Sequence, residues 1–322
     1  PYSEWAALSY VTSPTAPLGG IADQTLWYDN VISTDNLDLL VDTGSAWVTF
    51  SGDQQIAVLA PTTNSQGGTL LIGDVWVCSG QSNMGWGLGN SDDADLEVMT
   101  ANYPNLRLIS VPQIGTQEAQ VDFKGQWEAT TPDIAKNFSA VGYLFGRRLH
   151  QALGIPVGLI DNAWGGSACE AWIPRDRLNK LPVAKPYMKQ WEKTEATFDY
   201  DKLLASYEAK LKMWQEKVQA ARKLAKPQPS GRPRAPRNQL TGQHRPANLY
   251  NGVLNPIIGY GIKGAIWYQG ESNVGNPEAY DAFMPTLIND WRSLWHDANL
   301  PFFVVQLANF QEVNYTPTES NI

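Results

Sequence analysis

The chain has 322 residues, 43% of them hydrophobic and 17% charged, with a formal net charge of -8. That is the composition of a globular protein with one large domain, or one large and one small. The acidic balance excludes the basic footprint of a nucleic-acid binder, and no apolar run approaches the roughly 20 residues a membrane-spanning helix needs. The chain opens without an initiator Met or a signal peptide, so it reads as a mature or trimmed product. Two cysteines, Cys78 and Cys169, define no disulfide framework. They read as small buried apolar residues, with a single bridge between them left open.

Residues 1–68 are rich in Thr, Ser, Gly and Asp, with short β-like alternation at 46–50 and 55–61. A small N-terminal β region is expected there. From residue 69 the pattern changes to apolar strands separated by longer helical stretches. "TLLIGDVWVC" is a strand by length and continuous apolarity. "NFSAVGYLFGRRLHQALG" is an amphipathic helix, with Val141, Leu144, Phe145, Leu149 and Leu153 at three- and four-residue steps. Ser139 or Asn137 is its cap and Gly154 its stop. Strands follow at 155–164 and 262–269. "PEAYDAFMPTLINDWRSLWH" is a second helix, kinked at Pro285, and 300–310 is a further buried strand. Continuous apolar strands alternating with helices predict an α/β fold: a doubly wound parallel sheet covered on both faces. The core is assigned to 69–322. It carries a charged helical insertion at about 176–243 that ends in the proline-rich basic linker "KPQPSGRPRAPRN".

In open α/β sheets, ligands bind beyond the carboxyl ends of the strands. Three strands here end in small polar residues: Ser79-Gly80-Gln81-Ser82-Asn83, Trp164-Gly165-Gly166-Ser167 and Gln269-Gly270-Glu271-Ser272-Asn273. Each alone reads as a turn. Three together suit acyl transfer, which needs a serine displayed on a tight turn and N–H donors aimed at the developing oxyanion. Ser82 fits the nucleophile, since Gly80 lets the backbone turn and a helix can start behind it. Ser79 is its rival, nearer the strand and without a preceding glycine. Gly166 fits a second donor and the Gln269 side-chain amide a third.

These blocks carry a resemblance. "GDVWVCSGQSNM", "DNAWGGSACEAWIPR" and "LYNGVLNPIIGYGIKGAIWYQGESN", with "LPFFVVQLANF", resemble the motif blocks of the sialate O-acetylesterase-like carbohydrate esterases, within the SGNH hydrolase superfamily. The similarity runs over about 71–310, interrupted by the insertion. It implies a flavodoxin-like three-layer fold, with Ser82 as nucleophile and Gly166 and Gln269 as oxyanion-hole donors. Glu271 would order the site, and Asn83, Trp86 and Asn273 join it as supporting or substrate-side residues. The resemblance also implies hydrolysis of acetyl esters on an acetylated glycan, no metal or other cofactor, and a secreted, periplasmic or lysosomal setting.

One part is missing. Such enzymes carry their general base in a short Asp-x-x-His segment near the C-terminus, and no such segment occurs here. Of the three histidines, His150 and His296 lie in the two helices, and only His244 sits in a loop leading into the core. The expectation is that the base lies on a further C-terminal segment or separate chain. The alternatives are an acetylesterase acting on plant polysaccharide such as xylan or xyloglucan, and a non-catalytic carbohydrate-binding homologue. No His, Cys and carboxylate spacing suits a metal, and Gly80-Gln81-Ser82-Asn83-Met84 lacks the second glycine of a lipase elbow.

Overall fold

In the computed structural model, the described residues are 71–308 together with five short strands upstream: β1 (Tyr10–Thr12), β2 (Leu26–Tyr28), β3 (Leu39–Asp42), β4 (Trp47–Phe50) and β5 (Ala57–Val58). The first four form their own sheet in the order β1-β2-β3-β4, parallel between β1 and β2 and antiparallel beyond. The domain boundary expected near residue 68 falls outside the described residues.

The central sheet is built on β6 (Ile72–Gly80), β7 (Tyr103–Ser110), β8 (Glu128–Thr130), β9 (Val157–Asp161), β10 (Gly264–Tyr268) and β11 (Phe302–Val304). Its order is β11-β10-β6-β9-β7-β8, with β5 paired antiparallel to β6. Every pairing among β6, β7, β9, β10 and β11 is parallel, and β8 alone closes that edge antiparallel. The α/β reading holds. Helices α1 (Ala94–Met99), α2 (Pro132–Ala135), α3 (Ala140–Leu153), α4 (Arg175–Leu178), α5 (Lys185–Thr197), α6 (Tyr200–Lys223) and α7 (Pro277–Leu294) complete it.

The period-two geometry of a strand explains why β6 is apolar throughout. Val75 and Val77 enter one core with Ile160, Trp267, Phe283, Leu287 and Trp291, the last three from α7. Trp76 and Cys78 enter the other, with Leu106, Leu159 and Tyr143 of α3. Both cysteines are buried and free.

Helix α3 begins and ends where expected: the Ser139 hydroxyl accepts the Gly142 N–H at 3.0 Å, and Gly154 caps in the left-handed region at φ 68°. Its packing face matches the predicted one in part: Val141, Phe145 and Leu149 pack against the core. Leu144 and Leu153 are exposed, whereas Gly142, Tyr143 and Gly146 are buried. The small residues let the helix backbone settle onto Cys78 and Leu159, leaving no room for a larger side chain at either position. Pro285 lies inside α7, which is continuous over 18 residues. The buried strand expected at 300–310 is shorter: β11 is three residues long, with Phe303 and Val304 half exposed at the sheet edge.

The charged excursion is mostly α5 and α6. Its base is fastened to the core through Glu195, which pairs with Arg175 and accepts from Arg245 Nε at 2.9 Å. Burial raises the Glu195 carboxyl, but the two guanidiniums outweigh it and hold the group below its ordinary value. The proline-rich linker folds back onto α6, where Trp214 donates to the Pro229 carbonyl and Arg232 lies over the Trp214 ring.

Candidate active site

All five parallel strands run the same way, so the segments leaving β6, β9 and β10 gather at one edge of the sheet. From β6 the chain leaves past β9 to β7, and from β9 it crosses to β10 on the other side of β6. That reversal makes the carboxyl ends of β6 and β10 a topological switch point, the place where open α/β sheets bind ligands.

Gly80 makes the exit from β6. Its φ is +133°, and a Cβ there would stand 2.2 Å from the Tyr268 carbonyl oxygen, so only glycine fits. Gln81 then anchors the crossing. Its N–H donates to Tyr268 O at 2.9 Å, and its side-chain oxygen accepts the N–H groups of Gly270 and Ser272 at 3.3 Å each. Ser82 follows, exposed, on a turn closed by the Gly85 N–H to Gln81 O bond at 3.0 Å. Ser79, by contrast, is fully buried and its hydroxyl has no partner among the described residues. Accessibility therefore separates the two serines in favour of Ser82.

The helix expected behind Ser82 is not there. Residues 81–85 form a single turn, Gly87 pairs with Ser139 in an antiparallel bridge, and the next element is only a three-residue 3-10 turn at Leu88–Asn90. Among the described residues no helix starts directly behind the serine, so the helix-dipole contribution expected from that position is not there.

The segment after β9 lies against this turn. Trp164 N–H donates to Gly80 O at 3.0 Å, and a Cβ on Gly165 would stand 3.7 Å from the Ser82 Cβ. Gly166 is held at φ +70°. Among the described residues, the N–H groups of Ser82 and Gly166 donate to no protein acceptor. They are free donors at the right edge.

Gln269 is placed differently from its expected role. It is 2% exposed, and its amide nitrogen donates to Ser167 O at 3.1 Å and to Asn273 Oδ1 at 2.7 Å. Both hydrogens are committed, so in this arrangement the amide knits two loops together rather than facing Ser82. Asn273 is equally internal: its oxygen also accepts the Cys169 N–H, and its nitrogen donates to Glu170 Oε2 at 2.9 Å. Glu271 is exposed and accepts from the Asn83 amide, tying the third loop to the first. Trp86 is half exposed beside them, its ring N–H on Asn90 O at 3.0 Å.

Two residues of this network were not singled out by the sequence reading, Ser167 and Glu170. The hydroxyl of Ser167 donates to Gly80 O at 3.3 Å and accepts from Trp172 Nε1 at 3.1 Å. Burial pushes the Glu170 carboxyl up, against the opposing pull of hydrogen bonds and of His244. The signal for Glu170 was a lone carboxylate in the apolar run "ACEAWI".

The histidines divide by edge. Helix α3 feeds directly into β9, so His150 lies at the amino edge, its Nδ1 2.6 Å from Ile155 O. His296 follows α7 and precedes β11, at the same far edge. Only His244 is on the Ser82 side. Its neighbour Gln243 accepts the Ala168 N–H at 3.3 Å, and the Gln243 side chain donates to Gly165 O at 3.4 Å. Among the described residues no histidine hydrogen-bonds to Ser82, and no group of His, Cys, Asp and Glu is arranged to hold a metal ion.

Asp161 closes β9. Burial pushes its carboxyl up to about 7, although the Ala163 N–H at 3.0 Å works the other way. An unfolded aspartate titrates near 3.9. Folding therefore favours the protonated form, and stability falls as pH rises from about 4 to about 7. Asp161→Asn keeps an acceptor for Ala163 and removes that penalty. Denaturant unfolding of the variant should show a stability gain over the parent that is larger at pH 8 than at pH 5. A gain independent of pH would mean that Asp161 does not carry the titration.

The family model described as carbohydrate esterase, sialic acid-specific acetylesterase matches residues 72–221 and 243–321. The chain belongs to this family. It is 30% identical over 257 residues to the human sialate O-acetylesterase and 32% identical over 266 residues to the mouse enzyme. These alignments cover 74% and 76% of this chain but only 40% and 45% of the relatives, so the chain spans less than half their length. A carbohydrate acetylesterase from Xanthomonas citri superposes with a TM-score of 0.54 at 27% identity, covering 85% of this chain and 46% of that one. The family match breaks only at 222–242, the linker, and runs through α5 and α6.

Proposed function

We propose that the protein is a serine carbohydrate O-acetylesterase that works through an acetyl-enzyme on Ser82. The observation that carries this reading is an exposed serine on a glycine-hinged strand exit, beside two uncommitted backbone N–H groups. The Ser82 hydroxyl attacks the acetyl carbonyl carbon while its proton passes to a general base. The carbonyl oxygen becomes an oxyanion that the N–H groups of Ser82 and Gly166 receive. The sugar oxygen leaves with a proton, and water then attacks the acetyl-Ser82 carbonyl and releases acetate. Gln269 serves this site by holding Ser167 and Asn273, and the exposed Glu271–Asn83 pair and Trp86 face the glycan.

The base belongs to the proposal as well. His150 and His296 are at the wrong edge, and His244 makes no bond to Ser82 among the described residues. We assign the base to polypeptide outside this chain. Sialate O-acetyl groups are the first substrate to test, given the names of the curated relatives, with acetylated xylan as the comparison.

The test is active-site labelling of the full-length protein with a fluorophosphonate, followed by peptide mapping. The adduct should fall on Ser82 and be suppressed by excess acetylated sialic acid. Labelling at Ser79, or none at Ser82 in a preparation that hydrolyses acetyl esters, would overturn the assignment.

A further inference from the structure

A chain of buried hydrogen bonds joins the three strand-end loops, and it has one ionisable member. Glu170 is 7% exposed, Asn273 4%, Gln269 2% and Ser167 0%. From Glu170 Oε2 the links run to Asn273 Nδ2, from Asn273 Oδ1 to Gln269 Nε2, and from Gln269 Nε2 to Ser167 O. Ser167 Oγ ends the chain on Gly80 O, two residues before Ser82.

Each link fixes the next by donor and acceptor type. A carboxylate only accepts, so Asn273 must turn its nitrogen toward Glu170. Its oxygen is then the atom facing inward, where it takes the Cys169 N–H and the Gln269 amide. With its nitrogen drawn there, Gln269 also reaches the Ser167 carbonyl. The Ser167 carbonyl lies in the Ser167–Ala168 peptide, and Ser167 N–H donates to Trp164 O at 3.1 Å, so Ser167 is tied on both sides and limits where the adjoining Gly165–Gly166 segment can sit.

We propose that Glu170 is a positioning residue for the oxyanion site: through Asn273 and Gln269 its carboxylate holds the Ser167 carbonyl and so steadies the 165–168 segment that carries the Gly166 N–H. This rests on the esterase reading above. Glu170 itself touches no substrate. A neutral acceptor of the same shape can do part of the job, because a glutamine oxygen accepts the same Asn273 hydrogen. An alanine cannot: Asn273 then keeps the Cys169 N–H to hold its oxygen inward, its nitrogen loses its partner, and the chain to Gln269 and Ser167 is held more loosely.

The experiment uses the full-length protein and compares Glu170→Ala, Glu170→Gln and Asn273→Ala. Misplacing a catalytic donor through a remote contact lowers turnover by up to about 10²-fold. Glu170→Ala should lower kcat for 4-nitrophenyl acetate roughly 10- to 100-fold, with KM changed less than about threefold. Glu170→Gln should recover kcat to within about threefold of the parent. The double variant Glu170→Ala, Asn273→Ala should be no worse than the poorer single one, since both act in one chain. Hydrogen exchange adds a readout independent of turnover: amides of 165–168 should exchange faster in Glu170→Ala than in the parent or Glu170→Gln.

The inference is overturned if Glu170→Ala leaves both kcat and exchange at 165–168 unchanged, or if Glu170→Gln is as impaired as Glu170→Ala. Should Glu170→Ala fail to fold, Asn273→Ala and Glu170→Gln decide the same question by the same readouts. Absence of esterase activity in the parent would instead sink the esterase reading. The exchange result would still judge the hydrogen-bond chain.

Discussion

Ser82→Ala in the full-length protein should reduce kcat for 4-nitrophenyl acetate by at least about 10⁴-fold while leaving thermal stability unchanged. The size follows from the role: a nucleophile that forms the acyl-enzyme has no substitute, and losing one in a serine hydrolase costs on the order of 10⁴–10⁶ in kcat. Unchanged stability follows from the structure. Ser82 is exposed on its turn, and among the described residues its hydroxyl has no partner to lose. Ser79→Ala is the contrasting case. That hydroxyl is buried and unpartnered, so its removal discards an unsatisfied polar group and should be neutral or slightly stabilising. Turnover in Ser79→Ala should stay near the parent value. If Ser82→Ala keeps more than about a tenth of kcat, or if Ser79→Ala loses as much as Ser82→Ala, the nucleophile has been misassigned.

Much of this site was legible because its strands are. Val75, Trp76, Val77 and Cys78 read as buried on both sides, and the strand register puts them between β9 and β10 as that pattern requires. The polar residues just past β6, β9 and β10 gather at one edge because the three strands are parallel. What was not legible depended on which way a side chain turns. Gln269 was read as an oxyanion donor from its place after a strand, yet period-two alternation puts it on the same side as Trp267, which is fully buried. That alternation was the available signal that its amide would serve the interior. The helix expected after Ser82 failed for a backbone reason. Gly85, Gly87 and Gly89 recur at alternate positions, each costing a helix about 1 kcal/mol relative to alanine, and the Gly87–Ser139 bridge draws the chain out straight. The face of α3 was legible in part: Val141, Phe145 and Leu149 pack against the core, whereas Leu144 and Leu153 are exposed because the helix makes its closest approach to the sheet at Gly142 and Gly146, which leucine periodicity does not mark.

Gly80→Ala should be the most disruptive single methyl group that can be added to this site. Gly80 ends β6 at φ +133°, a conformation that L side chains rarely adopt. Forcing alanine into such a region costs about 1–3 kcal/mol. The methyl would also lie 2.2 Å from Tyr268 O and 2.7 Å from Tyr268 C, both backbone atoms of the neighbouring strand. A flexible side chain could move aside, but this contact can be relieved only by shifting β10 or the end of β6, an overpacking cost of about 1–3 kcal/mol. The two together predict a loss of about 2–6 kcal/mol in denaturant unfolding, a large share of the roughly 5–15 kcal/mol that holds a domain together. Function should suffer beyond stability. Gly80 O accepts from Trp164 N–H and from Ser167 Oγ, so moving this residue disturbs the Ser82 turn and the Gly165–Gly166 segment at once. In the fraction that remains folded, kcat should fall by about 10²-fold, as expected when reacting groups are displaced by about 1 Å. Gly154→Ala supplies the internal standard. Gly154 also has a positive φ, +68°, but a Cβ there meets nothing within 4 Å. It should cost only about 1 kcal/mol and leave kcat unchanged. Equal, small effects at the two glycines would mean that the Gly80–Tyr268 crossing does not set the position of Ser82.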